Sequence, residues 1–336
     1  MSSSLGPSVV VIGNFDGVHR GHQAVLRQAR ALADAEGMHC VVLTFDPHPS
    51  EVLGRGVPPR LTTLTRRIAL LREHGATDVA VEPFTAELAS WTPERFAHEL
   101  LARRLGTRAV VVGRNFRFGN KRAGDFDALQ ALGGALGFEA VAAEVAGDAE
   151  GAFSSTRVRD AIAGGDVERA AGILGRPHEL SGVVEHGDAR GRAIGFPTAN
   201  LGGVAEMLPA YGVYAVRIER ETTARTSTFE KGVMNIGVRP TVDGASLRIE
   251  AHLFDFDGDL YGETLRVALI ARLRGEQRFA GLDELRAQIA KDAENARKAL
   301  PDEGWPTFCR PQPLRSQRRM RLMITSGSRP GEPRKC

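Results

Sequence analysis

Two stretches of the 336-residue chain carry residue types suited to phosphate chemistry. The first is Gly13-Asn14-Phe15-Asp16-Gly17-Val18-His19-Arg20-Gly21-His22. Its glycines permit a tight turn and close backbone approach to a polyphosphate, so Gly13 and Phe15 are candidate phosphate contacts. His19 and His22 stand three apart and share one face of a helix. Two imidazoles beside the free N–H groups of a helix N-terminus can stabilise charge on a phosphate under attack. This chemistry needs no protein nucleophile. Two solvated histidines after a glycine turn are the plainer alternative. The coincidence of strand, glycines and helix weighs against it.

The second stretch runs from Gly187 to Asn200, as a glycine-bearing flap ending in Gly195-Phe196-Pro197-Thr198-Ala199-Asn200. In extended chain Thr198 and Asn200 point to the same side. A hydroxyl and an amide oxygen so placed can meet a hydrated Mg²⁺ and its phosphates. Taken alone, a polar hairpin with structural Thr and Asn explains the stretch better.

The elements that must position these residues differ between the two halves. Ser8–Ile12 is a short apolar run that fits a buried parallel strand, and helical spacing of Val25, Leu26, Ala29, Leu32 and Ala33 follows over His19–Ala35. Further strands are expected at Cys40–Phe45, Asp78–Val81, Arg108–Val112 and Phe138–Val145, and a helix at Asp125–Leu136. Thr92-Pro93 is a helix start, with Thr92 as cap and Pro93 in the first turn. Alternating strands and helices predict a doubly wound, Rossmann-like parallel sheet, with ligands beyond the carboxyl ends of its strands. After Gly175-Arg176-Pro177 the pattern changes. Five β-rich stretches follow, at Ser181–Glu185, Gly212–Glu219, Phe229–Ile236, Leu247–Phe254 and Leu265–Arg272, without a helix between them. They predict a small antiparallel barrel, closed by an amphipathic helix over Leu282–Leu300. The expected division is 1–174, 175–300 and a basic, unfolded tail over 301–336.

Composition narrows the function classes. Beyond Leu300 eight basic residues face three acids, a net of +5. Of the chain's +3, that leaves about −2 for the rest, which argues against a nucleic-acid partner. The three cysteines, Cys40, Cys309 and Cys336, form neither a disulfide framework nor a CxxC zinc motif. No apolar run approaches the ~20 residues that span a bilayer. A reducing, cytoplasmic setting with small-molecule substrates is expected.

Further motifs give a family resemblance. Thr44-Phe45-Asp46-Pro47-His48-Pro49 follows the second strand, and Val112-Gly113-Arg114-Asn115-Phe116-Arg117-Phe118-Gly119 the fourth. Ser154-Ser155-Thr156-Arg157-Val158-Arg159 opens a later helix. With the HxGH stretch these resemble the adenylyltransferase module of bacterial FAD synthetase, over about Val9 to Leu174. The resemblance implies that His19 and His22 hold ATP phosphates and that Asn115, with His48, lines the nucleotide or flavin site. It implies that Ser155, Thr156 and Arg159 grip the triphosphate. Ser155 read alone is equally an N-cap. Ala152 departs from the family, which often has a basic residue before the SST, and this puts full adenylylation in doubt.

In the second half, Arg176-Pro177-His178, the PTAN stretch, Gly232–Thr241 and Glu250-Ala251-His252-Leu253-Phe254 follow in the order seen in riboflavin kinase, from Arg176 to about Leu300. This resemblance implies that Glu250 is the catalytic carboxylate, that Gly195 and Thr198 bind ATP, and that Thr198 and Asn200 hold Mg²⁺. By strand alternation alone, Glu250 is equally an outward charge on a half-buried strand. Together the halves resemble the bifunctional enzymes that phosphorylate riboflavin to FMN with ATP and then adenylylate FMN to FAD. A monofunctional kinase with an impaired adenylyltransferase module is the alternative. A class I tRNA synthetase would need a KMSKS-type loop and a tRNA-binding domain, and the sequence offers neither. A non-catalytic flavin sensor would lack Thr198, Asn200 or Glu250.

Overall fold

The computed structural model describes residues 6–186, 195–221, 227–241 and 244–300. The tail from Pro301 and the flap residues 187–194 lie outside the described residues. The chain divides into two compact units. One runs to Pro58 and resumes over Leu64–Gly147; the other takes Pro59–Thr63 and, of the described residues, those from Asp148 to Leu300.

The first unit is a five-stranded parallel sheet of order β3-β2-β1-β4-β5. The strands are β1 (Ser8–Ile12), β2 (His39–Asp46), β3 (Asp78–Pro83), β4 (Thr107–Val112) and β5 (Glu139–Ala142). β1 is buried along its whole length, as a central parallel strand must be. Val9 and Val11 face one side, with Leu26, Ala29 and Ala33 of α1 (Arg20–Ala35) and two leucines of a later helix, Leu70 and Leu71. Val10 and Ile12 face the other, with Leu88, Phe96, Leu100 and Leu129. The short α2 (Pro49–Val52) follows β2, and α3 (Leu64–Glu73) precedes β3. After β3 come α4 (Ala86–Ser90) and α5 (Pro93–Phe96), the latter continued by π-helical turns over Ala97–Arg104. α6 (Phe126–Leu136) leads into β5. The chain enters the sheet at β1 and places β2 and β4 on opposite sides of it, so ligand space opens beyond its carboxyl end.

Thr92 caps α5 as expected, accepting from the Arg95 amide. Asp125, read from the sequence as the first helical residue, instead caps α6 and accepts from the Ala128 amide. β5 stops at Ala142 rather than Val145, because its partner β4 ends at Val112. Phe138 is buried in the core ahead of the strand.

The second unit opens with the hairpin β6 (Gly147–Asp148) and β7 (Gly151–Ala152), whose first residue still counts with the first unit. Then come α7 (Ser155–Ala163) and α8 (Val167–Leu174). These two helices group with the barrel, although the sequence reading ends the first domain after them. The barrel is closed, in the order β10-β11-β12-β9-β8-β13. Its strands are β8 (His178–Glu185), β9 (Ala199–Gly202), β10 (Gly212–Glu221), β11 (Ser227–Thr241), β12 (Gly244–Leu253) and β13 (Thr264–Arg274). There are six, not five. β9 is only four residues long and follows Pro197 closely, too short for alternation to declare it. Tyr214, Val216, Met234, Ile249, Ala251 and Val267 help fill the interior. α9 (Leu282–Ala299) lies outside the barrel, with Ala296 against Val213, Ala215, Val233 and Phe254. Arg274 of β13 makes a two-pronged ion pair with Asp292 of α9, at 2.8–3.1 Å.

Candidate active sites

The first site forms where β1 runs out. Gly13 donates its N–H to Leu43 O at 3.1 Å, joining the turn to β2. An added Cβ at Gly13 would come within 3.2 Å of the Phe15 ring, so this position favours glycine. Phe15 and Val18 have φ of 51° and 41°, left-handed values that L-residues with side chains adopt at a cost. The Asn14 carbonyl accepts from Thr44 Oγ1 at 3.2 Å and from Arg67 Nη1 at 3.0 Å. Arg67 also donates to Phe45 O at 3.3 Å. At the far end, Gln23 Nε2 donates to Val18 O at 2.9 Å.

This loop delivers His19 as the cap of α1. His19 Nδ1 accepts from the His22 amide at 3.4 Å, so a neutral His19 carries its proton on Nε2. The two rings stack with centroids 3.7 Å apart, and the edge of Phe15 meets His22 at 5.0 Å. Burial, and then the neighbouring His19, hold the His22 imidazole well below the usual histidine range. His22 is therefore neutral at rest, and its buried Nδ1 has no hydrogen-bond partner. Phe15 is buried, and its apolar ring offers a phosphate no hydrogen bond, so its backbone N–H is the candidate contact.

His48 joins the same cluster. Its Nδ1 accepts from the Ser50 amide at 3.2 Å, which leaves the proton on Nε2. Nε2 lies 3.1 Å from the Asn14 side-chain amide, and a half-turn of that amide presents its oxygen to the Nε2–H. Asn115 is exposed in the loop after β4, the strand beside β1. A Cβ at Gly113 would lie 2.8 Å from Asn115 Oδ1, so Gly113 leaves room for that side chain.

Ser155, Thr156 and Arg159 belong to the second unit. The cap of α7 is Ser154, whose hydroxyl accepts from the Arg157 amide at 3.2 Å. That removes the capping alternative for Ser155. Ser155 and Thr156 occupy the first turn, where backbone N–H groups point out of the helix end. Arg157 is bound up in the preceding hairpin, with Asp148, Glu150 and the carbonyls of Gly151 and Ala152. Arg159 Nε donates to Pro59 O at 2.8 Å.

The barrel builds the other candidate site on its outer face. Ile249 and Ala251 point inward, which turns Glu250 outward. Ala199 likewise points inward and leaves Asn200 beside Glu250. Register places Glu185, Asn200, Glu250 and Asn235 in one row across four strands. Asn200 Oδ1 is buried with no hydrogen-bond partner. A hard cation is the ligand that such an oxygen beside a carboxylate suits best. Thr198 is exposed one step away, and the His252 ring bonds the Pro197 carbonyl at 2.8 Å. Gly195 has φ of 84°, a conformation natural to glycine.

Both halves match known families. The FAD synthetase family matches residues 1–157, and the riboflavin kinase family matches residues 174–300. A bifunctional riboflavin kinase/FMN adenylyltransferase of Escherichia coli (strain K12) is 41% identical over 294 residues, covering 86% of this chain and 92% of that protein. The chain belongs to the bifunctional riboflavin kinase/FMN adenylyltransferase family. Another member, from Bacillus subtilis (strain 168), is 37% identical over 296 residues, covering 86% of this chain and 91% of that protein. A solved structure titled macrolide-efflux protein, from Streptococcus pneumoniae, is similar at TM-score 0.79 and 32% identity. It is covered over 95% of its length, and this chain over 88%. Among the described residues no helix here is long and apolar enough to cross a membrane.

Two placements escape a reading of motifs. Asn235 is a member of the Gly232–Thr241 motif, but only the register sets it in the row beside Glu250. Arg67 reads as a solvated charge on a basic helix. The available signal is its spacing three and four residues before Leu70 and Leu71, which puts it on the buried face of α3.

Proposed function

We propose that the two halves carry out consecutive steps of flavin cofactor synthesis in the cytoplasm, with residues 175–300 phosphorylating riboflavin and residues 1–174 adenylylating the product. In the barrel, Glu250 accepts the proton of the riboflavin 5′-hydroxyl as that oxygen attacks the γ-phosphorus of ATP. FMN forms and ADP leaves. Thr198 and Asn200 would hold Mg²⁺, which neutralises charge on the phosphates. Gly195 lets the backbone come close to them. The observation that carries this reading is Asn200 set directly opposite Glu250, with its oxygen buried and unpartnered.

In the parallel-sheet half a phosphate oxygen of FMN attacks the α-phosphorus of ATP, and pyrophosphate leaves. His19 and His22 donate N–H hydrogen bonds to the phosphates, beside the backbone of Gly13 and Phe15. Asn115 and His48 line the nucleotide or flavin, and Ser155, Thr156 and Arg159 grip the triphosphate. The neutral imidazole of His22 suits this role as an oriented donor.

The test uses purified protein with riboflavin, ATP and Mg²⁺, and separates the flavins by chromatography. The expected course is FMN first and FAD second. His19→Ala with His22→Ala should stop the reaction at FMN. Undiminished FAD from that double variant overturns the roles given to His19 and His22. FMN as the sole product of the unmodified protein would favour the monofunctional kinase.

A further inference from the structure

We propose that Arg67 is a positioning residue for adenylyl transfer, acting through the loop that carries the histidine cluster. This rests on the adenylyltransferase reading of that cluster. Arg67 is only 6% exposed, although guanidinium groups belong in water. Its two terminal nitrogens bond backbone carbonyls of different segments, Asn14 O after β1 and Phe45 O at the end of β2. Asp46 lies 3.6 Å from the same group. A planar fork of donors can tie two segments at fixed separation, which a flexible ammonium cannot.

The segment it ties does not hold its shape unaided. Between Asn14 and Val18 two non-glycine residues sit at positive φ, and one of them is β-branched. Such backbone persists only where its surroundings over-determine it. Arg67 and Thr44 fix the Asn14 carbonyl at one end, and Gln23 fixes Val18 at the other. Two candidate ligands depend on that shape. The Asn14 amide meets His48, and the Phe15 ring meets His22. Releasing Asn14 therefore displaces both rings at once. Arg67 is directed at backbone carbonyls and not at substrate, so its loss should register mainly in turnover, with only a small rise in KM passed on through the displaced rings.

The experiment measures kcat and KM for FMN-to-FAD conversion by the full chain. The variants are Arg67→Met, Arg67→Lys and Thr44→Val, with thermal unfolding of each sample as a check of folding and riboflavin phosphorylation as a check of enzyme concentration. Misplacement of a reacting group by about 1 Å costs on the order of 10²-fold. Arg67→Met should accordingly lower kcat by about 10- to 10²-fold, with KM for ATP and FMN within about threefold. Arg67→Lys should recover part of the loss, and Thr44→Val should show a smaller fall of the same kind. A kcat within about twofold of the unmodified protein in Arg67→Met, or a raised KM at unchanged kcat, overturns the proposal. If Arg67→Met does not fold, the other two variants decide: a lowered kcat supports positioning, and an unchanged kcat in both overturns it. The His19→Ala, His22→Ala double variant is assayed alongside. Full FAD formation there removes the underlying reading. Its loss there, with full activity in Arg67→Met, removes the positioning role alone.

Discussion

Asn200 and Glu250 face each other across the ladder between β9 and β12, with their neighbours Ala199 and Ala251 also paired and turned into the barrel. A slip of β12 by one residue would break both pairs and turn the carboxylate into the barrel. The packing of two alanines thus decides where the candidate chemistry of this face lies.

Glu250→Gln preserves size and removes the proton acceptor. FMN formation should fall by about 10²–10⁴, toward the lower end, because phosphoryl transfer relies mainly on positioning and charge. FAD formation from supplied FMN should persist. The pair of rates on one sample is the measurement, and an unchanged first rate would remove Glu250 from the reaction.

Asn200→Ala should act on the cation requirement. Hydrogen-bond-scale contacts to charge are worth about 1.5–3 kcal/mol, so the Mg²⁺ concentration for half-maximal FMN formation should rise roughly 10- to 10²-fold. Thr198→Ala should give a smaller rise, because Thr198 is exposed whereas Asn200 Oδ1 is buried. Titration of each variant with Mg²⁺ at saturating ATP would show it. Equal requirements in all three proteins would contradict the assignment.

His22 predicts a pH dependence of stability. Burial lowers its folded pKa below the ordinary value of about 6.5, so the unfolded chain takes up the proton first as pH falls. The resulting stability is complete above about pH 6.5 and is lost progressively as pH falls from there toward the folded pKa. His22→Gln should show a shallower drop in melting temperature between about pH 7 and pH 5. Parallel curves for the two proteins would contradict a neutral, buried His22.

The Arg274–Asp292 pair joins α9 to the barrel, with the carboxylate side chain 3% exposed and the guanidinium 21% exposed. Arg274→Met strands a buried charge, which typically costs about 3–5 kcal/mol. Replacing both partners, Arg274→Met with Asp292→Leu, should recover much of that. Denaturant unfolding of the single and double variants provides the comparison.

The sequence made the central elements legible because their signals are local. β1 has the predicted bounds, Ser8–Ile12, since five successive buried residues leave little choice. Thr92 caps its helix as read, because capping is decided within three residues, and the helix read from Asp125 begins one residue later with Asp125 as its cap. The site residues were legible as motif members, but their partnerships were not. Asn200 meets Glu250, fifty positions later in the chain, through strand register, and β9 is too short to show periodicity. The cap of α7 fell to Ser154 rather than Ser155, a one-residue choice that adjacent serines leave open. Arg67 stayed hidden because a charged residue on a helix suggests solvent, whereas here the carbonyls of Asn14 and Phe45 and the carboxylate of Asp46 receive it.

β9 has a further consequence. It meets β12 at two register positions and β8 at three, whereas β10 and β11 share ten. The cylinder is therefore fastened along a narrow seam, and the seam carries Asn200. Local opening favours such thinly bonded segments over the long ladders. A ligand that binds only the fastened form holds the seam shut by mass action. Amides of Ala199–Gly202 should exchange with solvent deuterium sooner than those of β10 in the free protein, and slow selectively when nucleotide and cation are added. In this half of the molecule, a ligand at the candidate site would brace the most thinly bonded part of a barrel that is already closed.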